Sequence, residues 1–271
     1  SELALAQNPE QLPYIGNKWG GKYLRAPEIY FKILEKGVGA TGCSPLLVRL
    51  GDIAEVKAGI ITGNNQKYYK KRIEEFSNLE YSLVFKSPRE ISNIFITSKD
   101  AKSIIKIKNV PFDIRTAPLL WVDLRGDKHI CHFNNDNLPF EHNFYGIYSK
   151  KNKNMELCLY LNSTLNYFFV EVLGRKGLGG GALRLVKIDL LSVPILELDF
   201  NIFNLQSFLK RKINSIFTEL GFDSSRPIRE QEPNPLPDRK ELDDIVFDAL
   251  GLTEEERKEV YWAVAELVKA R

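Results

Sequence analysis

The chain has 271 residues, 44% hydrophobic and 27% charged, with a formal net charge of +3. That length and composition exclude a low-complexity chain and suit one large globular domain or two modest ones. No apolar run approaches the roughly 20 residues of a membrane-spanning helix, and the start lacks the charged-then-apolar pattern of a secretory signal. Cys43, Cys131 and Cys158 follow no regular spacing, so a reducing, cytoplasmic setting is expected rather than a disulfide framework. The opening Ser1-Glu2-Leu3, without Met, is expected to mark a piece cut from something longer. Charge is uneven: residues 240–271 hold five Lys/Arg against nine Asp/Glu, a net of −4, which leaves +7 on residues 1–239. A basic body with an acidic tail fits nucleic acid or another anionic partner for the body.

In chain order, residues 1–21 mix Pro, Gly, Asn and Gln and read as a linker. Pro27 opens a helix whose Ile29, Tyr30, Ile33 and Leu34 share one face, and Gly37 stands where it should stop. Short runs rich in Val, Ile, Phe and Tyr follow at 46–56, 81–85, 94–97, 104–107, 119–124 and 129–133. Their spacing predicts a mostly antiparallel sheet system rather than alternating strand–helix units. From Met155 the apolar residues recur at helical intervals up to Gly174. A further helix is expected from about residue 201 to 220, before Gly221. Residues 222–238 hold four prolines and read as an extended connector. In the tail, Leu242, Ile245, Val246, Ala249 and Leu250 form one stripe and Gly251 breaks it. Thr253 with Glu256 makes a capping box for a second helix. The expected fold is therefore α+β: a mostly antiparallel β-sheet domain with flanking helices and a C-terminal helical hairpin. The expected segments are 1–27 (linker), 28–221 (main domain), 222–239 (connector) and 240–271 (hairpin).

Residues 174–187 carry five glycines and four Arg/Lys in fourteen positions. Glycines let backbone N–H groups approach a surface closely, and the cations favour a phosphate backbone. A hairpin tip would have similar composition. Catalytic signatures are weak. Gly37-Val38-Gly39-Ala40-Thr41-Gly42 matches a dinucleotide fingerprint in letters only, because a helix precedes it and Pro45 interrupts any helix after it. His129-Ile130-Cys131-His132 lacks a second ligand pair for zinc and reads as a partly buried strand. Asp113, Asp123 and Asp127 form no convincing nuclease arrangement, and Asn137-Leu138-Pro139-Phe140 reads as a turn. No Gly-x-Ser-x-Gly is present. The chain carries no defensible catalytic or metal centre.

Three segments together resemble the TaqI-like C-terminal target-recognition domain of adenine-specific DNA methyltransferases. The first is Lys18-Trp19-Gly20-Gly21-Lys22-Tyr23-Leu24-Arg25-Ala26-Pro27. The second is Leu50-Gly51-Asp52-Ile53-Ala54-Glu55-Val56-Lys57-Ala58-Gly59-Ile60-Ile61-Thr62-Gly63-Asn64-Asn65, which is also similar to specificity subunits of multisubunit restriction–modification systems. The third joins Leu159-Tyr160-Leu161-Asn162-Ser163, the glycine-dense stretch, and Ile188-Asp189-Leu190-Leu191-Ser192-Val193-Pro194-Ile195. The 242–271 tail also looks like the end of such enzymes. Residues 67–148 align with nothing.

The resemblance implies sequence-specific recognition of duplex DNA by residues 28–221, with no cofactor in this chain. S-adenosylmethionine would belong to an absent catalytic domain or subunit, and a restriction subunit is a further expected partner. A stand-alone specificity subunit is the runner-up; a metal-dependent nuclease and a protein-interaction scaffold remain from other classes. Candidate DNA contacts are Thr62, Asn64, Asn65, Gln66 and Lys67, whose amides suit adenine edges and equally suit an Asn-stabilised turn. Lys86, Arg89 and Lys128 are candidate base readers. Arg175, Lys176, Gly179, Gly180, Arg184 and Lys187 are candidate phosphate clamps, with a solvated basic face as the alternative. Trp19, with Lys18, Lys22 and Arg25, suits packing on its own domain more than DNA contact.

Overall fold

The computed structural model describes residues 25–37, 46–72, 79–176, 181–201 and 204–271. Helix α1 (Glu28–Gly37) forms as its spacing predicts, with Ile29, Tyr30 and Ile33 buried. The run 46–56 differs from the single strand expected. It is divided into β1 (Leu47–Arg49), one helical turn α2 (Leu50–Ile53) and β2 (Ala54–Ala58). Asp52 accepts a hydrogen bond from the Arg49 amide at 3.1 Å, and the Leu50 amide donates to Val193 O at 3.0 Å. The first bond is local and the second ties the turn to a distant segment, and together they favour a turn over a continued strand.

The large sheet is ordered β2-β10-β7-β9-β5, with β5 (Phe95–Ile96), β7 (Leu119–Val122), β9 (Cys131–Asn134) and β10 (Phe144–Ser149). Its neighbours are antiparallel except the β5–β9 pair. Strand β10, which pairs with both β2 and β7, has no counterpart among the expected runs. Gly146 breaks its pattern, and packing requires that glycine: a Cβ there would lie 2.5 Å from Phe140 Cζ and 2.6 Å from Ala117 Cβ.

A smaller antiparallel sheet is ordered β3-β6-β4, from β3 (Tyr69–Lys71), β4 (Tyr81–Val84) and β6 (Ser103–Lys106). The one-turn helix α3 (Asn65–Tyr68) leads into it. It closes on a core of its own made by Ile60, Tyr69, Val84 and Ile105. A third sheet joins β8 (Leu124–Arg125) to the hairpin β11 (Arg175–Lys176) and β12 (Leu183–Arg184). Strand β13 (Pro194–Leu196) pairs with β1.

The apolar run expected as one helix is two, α4 (Asn154–Leu161) and α5 (Thr164–Leu173). The break is polar, buried and satisfied. Asn162 accepts from the Cys131 amide at 2.9 Å and donates to the carbonyls of Cys131 and Cys158, both at 2.8 Å. Ser163 caps α5, and Asp243 accepts from the Thr164 amide and hydroxyl at 2.8 and 2.6 Å. Every residue of α5 is buried, as befits a helix apolar on most sides.

After the short α6 (Lys187–Leu191), the helix expected over 201–220 is also divided, into α7 (Gln206–Lys210) and α8 (Ile216–Leu220). Between them Arg211 reaches Glu219 at 2.7 Å and Asp238 at 2.6 Å. The tail is α9 (Pro237–Ala249) and α10 (Glu254–Lys269), with the Thr253–Glu256 capping box formed at 2.8 and 3.3 Å. Leu242, Val246, Phe247, Val260 and Val264 share one core with α1, α5 and Trp121 of β7. Residues 222–236 are tied to α10 by Trp262 Nε1 donating to Gln231 O at 2.7 Å and by Arg229 paired to Glu259 at 2.6 Å. The architecture is α+β, as expected from the sequence. Among the described residues no helix is long and apolar enough to cross a membrane.

Candidate nucleic-acid interface

The turn after β2 is built from its glycine outward. The Gly59 backbone lies against the 141–142 peptide, and a Cβ there would come 2.9 Å from His142 N and closer still to the Glu141 carbonyl. Beyond it Thr62 is buried and donates from Oγ1 to Asn65 Oδ1 at 2.7 Å, while Asn64 Oδ1 accepts from the Lys67 amide at 3.0 Å as the cap of α3. Asn65 Nδ2 reaches Glu141 Oε1 at 3.4 Å. Two of the three candidate amides, Asn64 and Asn65, are thus engaged in holding the turn. Gln66 and Lys67 are exposed, with Lys67 Nζ 5.2 Å from the Tyr68 ring centroid.

Glu141 organises this corner. Its side chain is 2% exposed and accepts from Asn65, from His142 Nδ1 at 2.7 Å, from the Asn143 amide at 3.1 Å and from Asn143 Nδ2. Asn143 Nδ2 also donates to Lys86 O at 3.2 Å, and Lys86 Nζ lies 5.3 Å from the Tyr69 ring centroid. Burial, with Glu141 nearby, pushes the Tyr69 hydroxyl well above its ordinary pKa.

Asn143 also lines an open groove of ≈ 590 Å³ between residues 87–92 and 122–130. Arg89, on a 3-10 turn capped by Ser87, and Lys128, on the loop between β8 and β9, both line it. Both are exposed, and neither has a carboxylate partner among the described residues. Leu124, 57% exposed, and Ala182 also line it. Sequence reasoning missed Asn143 and Leu124, because nothing local marks a polar turn residue or a strand leucine as groove-facing.

The floor beneath Lys128 is rigid. Arg125 is buried, with its guanidinium 4.0 Å from the Trp121 ring centroid, and it donates to Val122 O at 2.8 Å. Its Nη1 lies 2.7 Å from His129 Nδ1, and His129 Nε2 lies 2.6 Å from Leu161 O. Burial and then the Arg125 cation hold His129 well below the usual imidazole range, so it is neutral, with Nδ1 accepting from Arg125 and Nε2–H donating to Leu161. His132 is likewise buried, with Nδ1 at 2.7 Å from Asn93 O; burial pulls it down to about 4. The two imidazoles therefore serve the fold. No group of three His, Cys, Asp or Glu is arranged to hold a metal among the described residues.

The glycine-dense stretch is a hairpin, with Arg175 opposite Arg184 and Lys176 opposite Leu183. Gly179 and Gly180 lie outside the described residues, as do Lys18, Trp19 and Lys22. The cations of the hairpin bond to partners within the protein. Arg175 forms a bidentate pair with Asp189 at 2.7 and 3.2 Å, Arg184 pairs with Asp123 at 3.1 Å, and Lys176 donates to Ala270 O at 2.9 Å. Arg184 and Lys176 remain exposed to solvent, as does Lys187 in the first turn of α6. Arg25 donates to Gly174 O at 2.7 Å at the C-terminus of α5, where a cation is favoured.

Arg271 pins the hairpin from below. Its side chain is 2% exposed and pairs with Glu171 at 2.8 Å. It also donates to Tyr167 Oη at 3.0 Å and to the carbonyls of Gly126 at 3.1 Å, Arg125 at 3.3 Å and Gly181 at 3.3 Å. Burial pushes the Glu171 carboxyl up to about 7, against the pull of Arg271. The groove loop and the hairpin thus share one anchor.

No family model and no curated protein matches the chain. Among solved structures it superposes on the type IIG restriction endonuclease BpuSI with a TM-score of 0.60 at 9% identity, over 93% of this chain and 33% of that one. The HsdS subunit from Thermoanaerobacter tengcongensis gives 0.37 at 13% identity, over 91% and 53%. A chain from a type I R-M system gives 0.39 at 13% identity, over 99% and 58%. The two lower scores carry no argument, and the chain spans about a third of the length of BpuSI. The α+β architecture built above is one that the chain shares with part of a type IIG restriction endonuclease.

Proposed function

We propose that this chain is a duplex-DNA recognition module of a restriction–modification enzyme, one that serves an adenine-specific methyltransferase. Residues 28–221 carry the recognition surface, and the 240–271 hairpin braces it from behind. The observation that carries the reading is the groove that Arg89 and Lys128 both line, exposed and, among the described residues, without carboxylate partners. Its fold likeness to part of BpuSI adds support.

The groove cations hold phosphate and set register, while Gln66, the side-chain oxygen of Asn143 and Leu124 supply polar and apolar contacts of the kind that discriminate bases. Methylating adenine requires the base to leave the stack, which costs a few kcal/mol. A module gripping the surrounding duplex offsets that cost. S-adenosylmethionine belongs to a catalytic partner: the Gly37–Gly42 letters follow helix α1 rather than a strand, which does not fit a nucleotide cradle.

Fluorescence anisotropy with a labelled duplex of about 30 base pairs, at about 50 and 200 mM KCl, tests the reading. Binding should weaken steeply with salt, and R89E/K128E should lower affinity at least about tenfold, as charge reversal at phosphate contacts does. The urea midpoint should not move. Salt-insensitive binding, or a charge-reversed variant that binds as the wild type does, overturns it.

A further inference from the structure

Much of the positive charge of this chain falls in a stretch that aligns with no family motif. Residues 67–115, which build the β3-β6-β4 sheet, hold eleven Lys/Arg against six Asp/Glu, a net of +5 in a chain whose total is +3. Strand β3 is an edge of that sheet, and it runs Tyr69-Lys70-Lys71 into Arg72. The fold brings a second segment to it. The Arg72 amide donates to Lys102 O at 3.0 Å, and its guanidinium donates to Ser98 O at 2.7 Å and Ala101 O at 3.2 Å.

Arg72 therefore staples the 97–102 turn to the strand, which sets the exposed Lys99 and Lys102 beside an edge strand that carries the exposed Lys70, Lys71 and Arg72. No carboxylate pairs with these four lysines among the described residues. Among the described residues, Asp100 and Asp136 of this corner are already engaged. Asp100 accepts from the Thr97 amide and hydroxyl at 2.8 and 3.2 Å, and Asp136 accepts from the Ser98 amide at 2.7 Å. Lys70 Nζ stands 4.6 Å from the Tyr81 ring centroid, which orients the ammonium without neutralising it.

From this we infer that the β3 edge and the 97–102 turn form a second contact to duplex DNA, one that grips phosphates and reads no bases. The inference rests on the DNA reading above and uses none of the residues lining the groove. Edge lysines also discourage strand-to-strand aggregation. That role does not account for Lys99 and Lys102, which come from a turn, or for an arginine spent on holding the turn in place. The five named side chains are all cations, with no amide or hydroxyl among them, so their contribution is affinity without sequence preference.

The test uses the full chain, the same duplex of about 30 base pairs, and a K71Q/K99Q/K102Q variant. Neutralising three phosphate contacts should make the slope of log affinity against log salt shallower by about 2 to 3 and lower affinity about tenfold at about 50 mM KCl. Should the triple variant prove unstable in urea, the single variants K71Q, K99Q and K102Q decide the same question, each expected to take about 0.9 off the slope. A wild-type slope and affinity in these variants, alongside weakened binding by R89E/K128E, overturns this inference and leaves the groove reading standing. No duplex binding by the wild type overturns both. Loss confined to a single strand of the same length, with duplex binding intact, also overturns it.

Discussion

The hairpin after α5 and the edge of the small sheet are both rich in Lys and Arg, but their cations are in opposite states. In the hairpin, Arg175, Lys176 and Arg184 each bond to an acceptor within the protein, one of them the nearly buried Asp189. At the β3 edge and the turn beside it, Lys70, Lys71, Lys99 and Lys102 stand exposed without such partners among the described residues. A composition that attracts notice in a sequence is therefore a poor guide to which charges remain for a ligand. The hairpin spends its cations on holding itself against α6, β8 and α10, and the plainer segment keeps its own for solvent.

The sharpest way to break that contrast is at Arg271. Arg271→Ala removes the partner of Glu171 and donors to three carbonyls, two of the groove loop and one of the hairpin. It should cost about 3–5 kcal/mol, as breaking a buried ion pair does. Urea unfolding reads this directly, and a loss below about 1 kcal/mol would mean that the hairpin is not anchored there.

A second measurement concerns pH. His132, pulled down to about 4 from 6.5, lends stability that is present above pH 6.5 and lost as pH falls towards 4, by about 3 kcal/mol. Glu171 has the opposite sign. Its carboxyl, raised to about 7 from 4.5, gains stability as pH falls through 7 towards 4.5, by a similar about 3 kcal/mol. Glu171→Gln should leave the loss from His132 uncovered, so that the variant loses about 3 kcal/mol more than wild type between pH 7 and 4.5. Parallel profiles for the two proteins would refute this.

Smallest in stability, and most pointed for the comparison, is Arg175→Ala. Losing a bidentate pair to a nearly buried carboxylate should cost about 1–3 kcal/mol. Duplex affinity should stay within about twofold, since an occupied guanidinium offers little to phosphate. A large affinity loss without a stability loss would invert the assignment of the two regions.

Much of the fold was legible where local signals and tertiary demands agree. Pro27 and Gly37 bracket α1, and Thr253 with Glu256 starts α10, because caps act within one turn of chain. Local reading failed where a distant partner decides. The α4–α5 break depends on Cys131 and Asp243 bonding Asn162 and Thr164, residues far apart in sequence. Strand β10 is hidden by Gly146, whose reason is Phe140 and Ala117 across the sheet. At the candidate site, the exposure of Arg89 and Lys128 could be guessed from their turns, but their lining of one groove could not. The +5 of residues 67–115 was countable from the start. What the count could not show is that Arg72 would fasten the 97–102 turn beside β3.

The buried carboxylate of Glu141 has one more consequence. Through Asn65 it secures the turn after β2, and through Asn143 it reaches the backbone of Lys86. Two parts of the surface from separate stretches of chain therefore share a single acceptor and cannot rearrange independently. Whatever draws Asn65 away from that acceptor alters the energy of moving Lys86, and thermodynamic reciprocity requires the reverse effect to be equal. Substitutions that retune one of these turns should therefore shift the preferences of the other.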